Sequence, residues 1–298
     1  MIDPALTFEP HRRHLLGLAY RMLGSIAEAE DAVQDAYLRW HAADRDVVTD
    51  HRGFLTTTTT RICLDVLRSA RARREQYVGP WLPEPVVDTT ALSPDAQTEL
   101  AQDLSIALLL ALDRLSPLER AAFLLHDVFD CSFTEVARTL DRSEAACRQL
   151  AARARTHVRE AGRGDASVVR DRGRDATTTH DVLVAAFVKA ARSGDLEGLR
   201  SLLAEDARLV TDGGGKVQAA LNVIVGADRI ARFIVAVTPK GVPADTTLRF
   251  GAVNDLPGVI AFSPDGQVET VAFEIDDGRI RTIYSVRNPD KLRHLSRA

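Results

Sequence analysis

The chain has 298 residues, with 38 Lys and Arg against 42 Asp and Glu, a formal net charge of −4, and 45% hydrophobic and 27% charged residues. That balance excludes an intrinsically disordered chain, and the length allows two or three domains at roughly 150 residues each. No apolar run approaches the roughly 20 residues that span a bilayer. Met1-Ile2-Asp3-Pro4 has neither the basic start nor the apolar stretch of a signal peptide, so a cytoplasmic location is expected. Cys63, Cys131 and Cys147 are odd in number and far apart, with no CxxC pair, which supports neither a disulfide framework nor a zinc ribbon. No cofactor and no metal is expected. The overall acidity speaks weakly against nucleic-acid binding, but the distribution of charge counts for more than its sum.

Leu15, Leu18, Ala19 and Met22 recur at helical spacing, and Gly24-Ser25 stops that helix and caps the next. Val33, Ala36, Tyr37 and Trp40 form the next apolar stripe, and Glu28, Asp31 and Asp35 lie on the opposite face. A third helix runs from near Phe54 to about Arg74, with Ile62, Cys63, Val66, Leu67 and Ala70 inward. Thr56 to Thr60 favours strand by propensity, and the periodicity after it outweighs that. Arg61, Arg68, Arg71, Arg73 and Arg74 make this helix basic, and Thr57, Arg61, Asp65 and Arg68 share one side of it.

Residues 75–98 hold Pro80, Pro83, Pro85 and Pro94 and cannot be regular helix. This is a linker, yet Tyr77, Trp81 and Leu82 are too apolar for a plain tether and need a surface to dock on. Residues 99–160 are helical again. Ser116-Pro117-Leu118-Glu119 and Ser132-Phe133-Thr134-Glu135 read as capping boxes, and Asp141-Arg142-Ser143-Glu144 resembles a third. A short helix over 132–140, a tight turn and an Arg-rich helix to about Glu160 make a helix-turn-helix. Ala146, Leu150 and Ala154 are expected inward, with Arg148, Gln149, Arg153 and Arg155 toward bases and phosphates.

Residues 161–179 form a second linker. From 180 to 298 the pattern changes. Two helices (about 180–193 and 195–204) precede strand-like runs at Ala207–Thr211, Thr246–Val253, Val259–Phe262, Val268–Ile275 and Ile280–Val286, with a helix near 226–237 among them. Asp276-Asp277-Gly278-Arg279 is a hairpin signal. The order predicts an α+β cone with a strongly bent antiparallel sheet. Gly213-Gly214-Gly215-Lys216 lacks the spacing of a phosphate loop and is read as a tight strand-to-strand turn displaying Asp212 and Lys216. His11 and His14 stand at i, i+3 with no third ligand nearby in the sequence.

Ala29 to Trp40 resembles the core-polymerase-binding helix of extracytoplasmic-function RNA polymerase sigma factors. The segment from Phe54-Leu55 to Arg68 is similar to that family's helix that melts and reads the minus-ten element. Leu115-Ser116-Pro117-Leu118-Glu119-Arg120 and Phe133-Thr134-Glu135-Val136-Ala137 match the region that reads the minus-thirty-five element. Trp81-Leu82-Pro83-Glu84-Pro85, Asp212 to Lys216 and Asn288-Pro289-Asp290-Lys291-Leu292 look like the marks of the SigJ-like subgroup, which carries a fused SnoaL-like domain of ketosteroid-isomerase type. Two departures stand out. Asp141 occupies the turn where the family usually has Gly, and Cys147-Arg148-Gln149-Leu150 replaces a Lys-Ser-Arg-Leu type run.

The resemblance implies a multidomain chain: two all-α domains, at 1–74 and 99–160, joined by the 75–98 linker, then the 161–179 linker and a SnoaL-like regulatory domain at 180–298. Its partners would be core RNA polymerase and promoter DNA, both double-stranded and melted, with no membrane. Glu28, Asp31, Gln34 and Asp35 would bind the polymerase. Thr57, Arg61, Asp65, Arg68 and Arg71 would bind minus-ten DNA. Arg142, Ser143, Arg148, Gln149, Arg153 and Arg155 would bind minus-thirty-five DNA. Tyr77, Trp81 and Leu82 would dock on Asp212, Lys216, Asn288, Asp290 and Lys291. In this reading the chain is not an enzyme. The alternative makes the C-terminal domain a small-molecule sensor, or an isomerase-like enzyme with Asp206, Asp212 or Glu274 as proton shuttle.

Overall fold

A computed structural model of the chain describes residues 4–44, 48–74, 77–87, 105–164, 175–241 and 245–295; for 70–74, 161–164, 175–179 and 239–241 it describes the backbone only. The chain divides into two compact units, Met1–Gln76 with Asp95–Val168, and Tyr77–Pro94 with Val169–Ala298. The two helical regions thus share one unit, and the Pro-rich segment groups with the C-terminal domain.

The first unit begins with α1 (Pro4–Leu23), α2 (Ile26–Ala42) and α3 (His51–Arg74). Leu15, Leu18, Met22, Val33, Ala36, Leu55 and Trp40 are buried among them. Trp40 keeps its indole N–H satisfied by donating to the Pro4 carbonyl at 3.2 Å. The Thr run is helix, as the periodicity requires, and the hydroxyls explain how. Thr58 donates to the Phe54 carbonyl at 2.8 Å and Thr60 to the Thr56 carbonyl at 2.7 Å, the back-bond to i−4 that a helix allows.

The rest of this unit is α4 (Ile106–Asp113), α5 (Pro117–Phe123), a π-helical turn (Leu124–Val128), α6 (Phe133–Leu140) and α7 (Glu144–Gly164). Ser116 with Glu119 and Ser132 with Glu135 form reciprocal capping boxes. The third box does not form. Asp141 is instead the C-cap of α6, in the left-handed region at φ 53°, and Ser143 caps α7 by accepting from the Ala146 N–H. The inward stripe of α7 also departs from expectation. Cys147, Ala151 and Ala154 are buried, while Ala146 and Leu150 are half-buried.

In the second unit, α8 (Asp175–Ser193) and α9 (Leu196–Leu202) precede β1 (Leu203–Asp212), β2 (Ile224–Val225), α10 (Ala227–Gly241), β3 (Thr247–Val253), β4 (Leu256–Phe262), β5 (Val268–Asp276) and β6 (Arg279–Val286). The six strands run β2-β1-β6-β5-β4-β3. The expected α+β order holds, but the sheet is mixed rather than antiparallel. β1 pairs in parallel with β6, the last strand. The long path from β1 through β2, α10 and three further strands is what lets two parallel neighbours meet. Val184, Phe187, Leu199, Leu209, Ile230, Phe273 and Ile283 fill the space between helices and sheet.

The Asp141 turn yields a stability test. A left-handed non-Gly residue costs roughly 1–2 kcal/mol, which Asp tolerates best together with Asn. Asp141→Gly is expected to hold or slightly raise the urea midpoint, and Asp141→Val to lower stability by about 1–2 kcal/mol. Equal loss in both variants would contradict the role given to this residue.

Candidate promoter, polymerase and linker sites

The acidic face lies on α2. Ser25 opens the helix by accepting from the Glu28 N–H at 3.2 Å, which fixes the register that buries Ala29, Val33, Ala36 and Trp40. Asp31, Gln34 and Asp35 are therefore exposed on one side, and Glu28 is half-buried. Leu38, 57% exposed one turn further along, continues this stripe and was not singled out in the sequence.

The basic helix α3 presents its residues unequally. Asp65 and Arg68 pair with each other at 2.9 Å on the surface. Thr57 and Arg61 instead meet α6: the two hydroxyls of Thr57 and Thr139 are 2.9 Å apart, and Arg61 donates to the Arg138 and Thr139 carbonyls. The Arg71 side chain lies outside the described residues.

In the turn before α7 Arg142 and Ser143 are exposed, and on α7 Arg148, Gln149 and Arg153 are exposed and Arg155 is half-buried. Arg148 pairs with Glu144 at 2.6 Å and lies over the Phe133 ring at 5.2 Å. Arg153 reaches Glu119 at 3.4 Å, and Arg155 pairs with Asp127 of the π-helical turn at 2.6 Å. These last two thus also brace α7 against α5 and the turn after it.

The linker is held by one carboxylate. Asp212 ends β1, is fully buried, and accepts from the Tyr77 hydroxyl, the Leu82 N–H at 2.8 Å, the Gly214 N–H at 3.1 Å and the Lys291 ammonium at 2.7 Å. The turn 213–216 therefore does not display Asp212, contrary to expectation. It leads into the irregular segment 217–223, not directly into a strand. Lys291 also donates to the Leu82 carbonyl and sits 4.3 Å from the Trp81 ring centre. Asn288 donates to the Tyr77 hydroxyl at 2.9 Å. Burial, and then the hydrogen bond to Asp212, push the Tyr77 phenol well up, so it stays a neutral donor. Lys216 and Asp290 form an outer pair, which holds the Asp290 carboxyl below its usual range. Further along, Val86 and Asn254 exchange hydrogen bonds, and Val87 bridges Val253. Leu82 is completely buried.

The three candidate proton shuttles do not gather. Asp206 is exposed beside Arg281 at 3.5 Å, and Asp212 is enclosed by the linker. Glu274 is buried at 3.4 Å from the Tyr284 hydroxyl, on the sheet face opposite Phe273 and the helix-side core. Among the described residues no group of His, Cys, Asp and Glu could hold a metal ion, and no helix is long and apolar enough to cross a membrane.

Comparison with known proteins gives the family. Sigma-70 region 2 is matched over residues 7–73 and sigma-70 region 4 over residues 105–158. The ECF RNA polymerase sigma factor SigJ of Mycobacterium tuberculosis is 40% identical, over 95% of this chain and 91% of that one. The probable ECF RNA polymerase sigma factor SigI of the same organism is 34% identical, over 97% and 95%. A crystal structure of M. tuberculosis SigJ matches with a TM-score of 0.73 and 34% identity, covering 96% of this chain and 97% of that one. The chain belongs to the extracytoplasmic-function RNA polymerase sigma factors: it is an alternative sigma factor that binds core RNA polymerase and directs promoter recognition, with an α+β C-terminal domain.

Removing one partner of a buried ion pair costs about 3–5 kcal/mol, because the other charge stays buried without compensation. Asp212→Ala is therefore expected to destabilise the second unit by about that much and to open residues 77–87 to protease. Cleavage in that segment no faster than in the parent chain would refute the assignment.

Proposed function

We propose that the chain initiates transcription in the cytoplasm by binding and positioning, with no covalent step, and that its C-terminal domain sets the geometry of promoter reading through the linker. α2 docks on core polymerase through Asp31, Gln34 and Asp35. α3 contacts the minus-ten strand through its basic face. α7 and the turn before it read the minus-thirty-five duplex through Arg142, Arg148 and Gln149. The observation that carries the regulatory part is the burial of the linker on Asp212. Residues 77–87 join the two promoter-reading regions in sequence, and anchoring them removes about 36 Å of extended reach from that connection. A Pro-stiffened strand loses little entropy when it docks, and its Trp is a typical anchor.

Two measurements test this. Asp31→Arg with Asp35→Arg is expected to abolish binding to core polymerase while leaving the melting curve in place, since exposed charges matter little to stability; undiminished affinity would sink the assignment. In-vitro transcription from a promoter library then compares the parent, Trp81→Ala, and a truncation near residue 165. Both changes are expected to alter output in the same direction. Identical output from all three would exclude control through the linker.

A second reading, a small-molecule sensor, is favoured by a cavity of about 340 Å³ lined by Ala261, Ser263, Glu269, Arg287, Pro289 and Leu292. Its wall includes the segment that carries Lys291 to Asp212, so an occupant there would bear on the linker anchor. Ligand-dependent transcription without turnover would support it.

A further inference from the structure

The helix-turn-helix fixes one arginine more closely than a solvent-facing cation requires. Glu144 is the first residue of α7 and Arg148 stands one turn later, and their side chains remain 39% and 56% exposed. An exposed i, i+4 pair is ordinarily worth little, because two long side chains lose freedom in order to meet. This pair is held by further contacts. Thr134 of α6 donates to Glu144 Oε1 at 2.7 Å, and Arg148 Nη2 donates to Glu144 Oε2 at 2.6 Å. The guanidinium also lies over the Phe133 ring, 5.2 Å from its centre. Phe133 is itself stacked on His126, with ring centres 3.9 Å apart, and His126 Nδ1 donates to the Cys131 carbonyl at 2.9 Å. His126 sits at the centre of the π-helical turn Leu124–Val128. Side chains from that turn, α6 and α7 thus form one column that ends in the Arg148 guanidinium.

The groups at the end of the column have a fixed order. Nη2 carries two hydrogens, one beside the Nε hydrogen and one beside those of Nη1. Whichever of them Glu144 takes, the other completes a two-donor fork on the open side. Next to that fork stands the Glu144 carboxylate. Hydrogen bonds from Thr134 and then Arg148 hold it below its usual range, so it only accepts. The exposed row therefore reads donor, donor, acceptor. In the major groove a G·C pair presents the matching row: guanine N7 and O6 as acceptors, then cytosine N4 as donor. A C·G pair presents it reversed, and A·T and T·A pairs alternate acceptor, donor, acceptor.

We propose that Glu144 and Arg148 together read a single G·C pair of the minus-thirty-five element, the Arg148 fork donating to guanine N7 and O6 and Glu144 accepting from cytosine N4. Thr134, Phe133 and His126 are positioning residues. They set the donors and the acceptor in order before DNA arrives, so little side-chain freedom is lost on binding. A phosphate is the poorer partner for this pair, because the carboxylate beside the guanidinium repels it. The inference rests on the assignment of α7 to the minus-thirty-five element.

The full-length chain, assembled with core polymerase, selects sites from a library of duplexes randomised upstream of the start site. The parent is expected to return one G·C pair at which Arg148→Ala and Glu144→Ala each lower the preference about tenfold, with preferences at other pairs unchanged. Arg148→Lys, which keeps the charge and loses the fork, behaves there like Arg148→Ala. Base analogues then address single groups. At that pair 7-deazaguanine, which lacks N7, weakens binding of the parent about tenfold and leaves Arg148→Ala unaffected; N4-methylcytosine does the same with respect to Glu144→Ala. Thr134→Val and Phe133→Leu lower discrimination at the same pair severalfold. Weaker binding to all sites alike would make them structural only and overturn the positioning role. The paired reading is overturned if Arg148→Ala and Glu144→Ala shift different pairs, or shift none while Arg142→Ala or Gln149→Ala shifts one. If no substitution on α7 or in the turn before it shifts any preference, the assignment of α7 has failed, and the paired reading with it.

Discussion

A carboxylate with no access to water must have its charge answered by the protein, and Asp212 is answered by four donors from three parts of the chain. Two of them, Tyr77 and the Leu82 amide, belong to the Pro-rich segment; Gly214 follows Asp212 in the chain; Lys291 comes from the turn after the last strand. Each of the two Asp212 oxygens accepts two of these donors: Oδ1 from Tyr77 and Gly214, Oδ2 from Leu82 and Lys291. The linker is thereby made part of the C-terminal fold, and the fate of that fold becomes the fate of the connection between the two promoter-reading regions.

The first unit solves a different problem with a related device. Helix C-termini expose carbonyls that need donors, and guanidinium groups from the opposite region supply them. In both units a polar requirement created by local structure is met from far along the chain. Such contacts are specific because an apolar neighbour of the same shape could not replace them. They differ in permanence: the Asp212 cluster is dry, whereas Arg61 stands at the surface, where water can replace the lost bonds.

The sequence made the helical regions legible because their punctuation is local. Ser116 with Glu119 and Ser132 with Glu135 act within one turn, and the pairing seen in the structure is the one the spacing requires. The hairpin at Asp276 to Arg279 is local in the same way. What the sequence did not disclose is non-local. The parallel pairing of β1 with β6 joins residues at least 74 positions apart in the chain, such as Asp212 and Val286. The π-helical turn has no compositional mark. Arg61 looks like any basic residue on a DNA-facing helix, and only the fold shows that α6 ends beside it. Asp212 was picked out by its motif, but its burial, the property that gives it force, follows from a linker some 130 residues earlier.

That separation along the chain has a consequence for synthesis. Lys291 and Leu82, which meet at Asp212, are 209 residues apart, and β1 has no neighbour on its β6 side until the final strand has emerged. At about 5–20 residues per second, the ribosome takes roughly 10–40 s to travel from the linker to its anchor. Residues 105–164 are made early in that interval, so in its later part the helices of both sigma-70 regions are outside the tunnel with their connection untethered. A nascent or prematurely terminated chain thus carries both sigma-70 regions with their linker unanchored, and the finished polypeptide is the first form in which the Asp212 cluster exists.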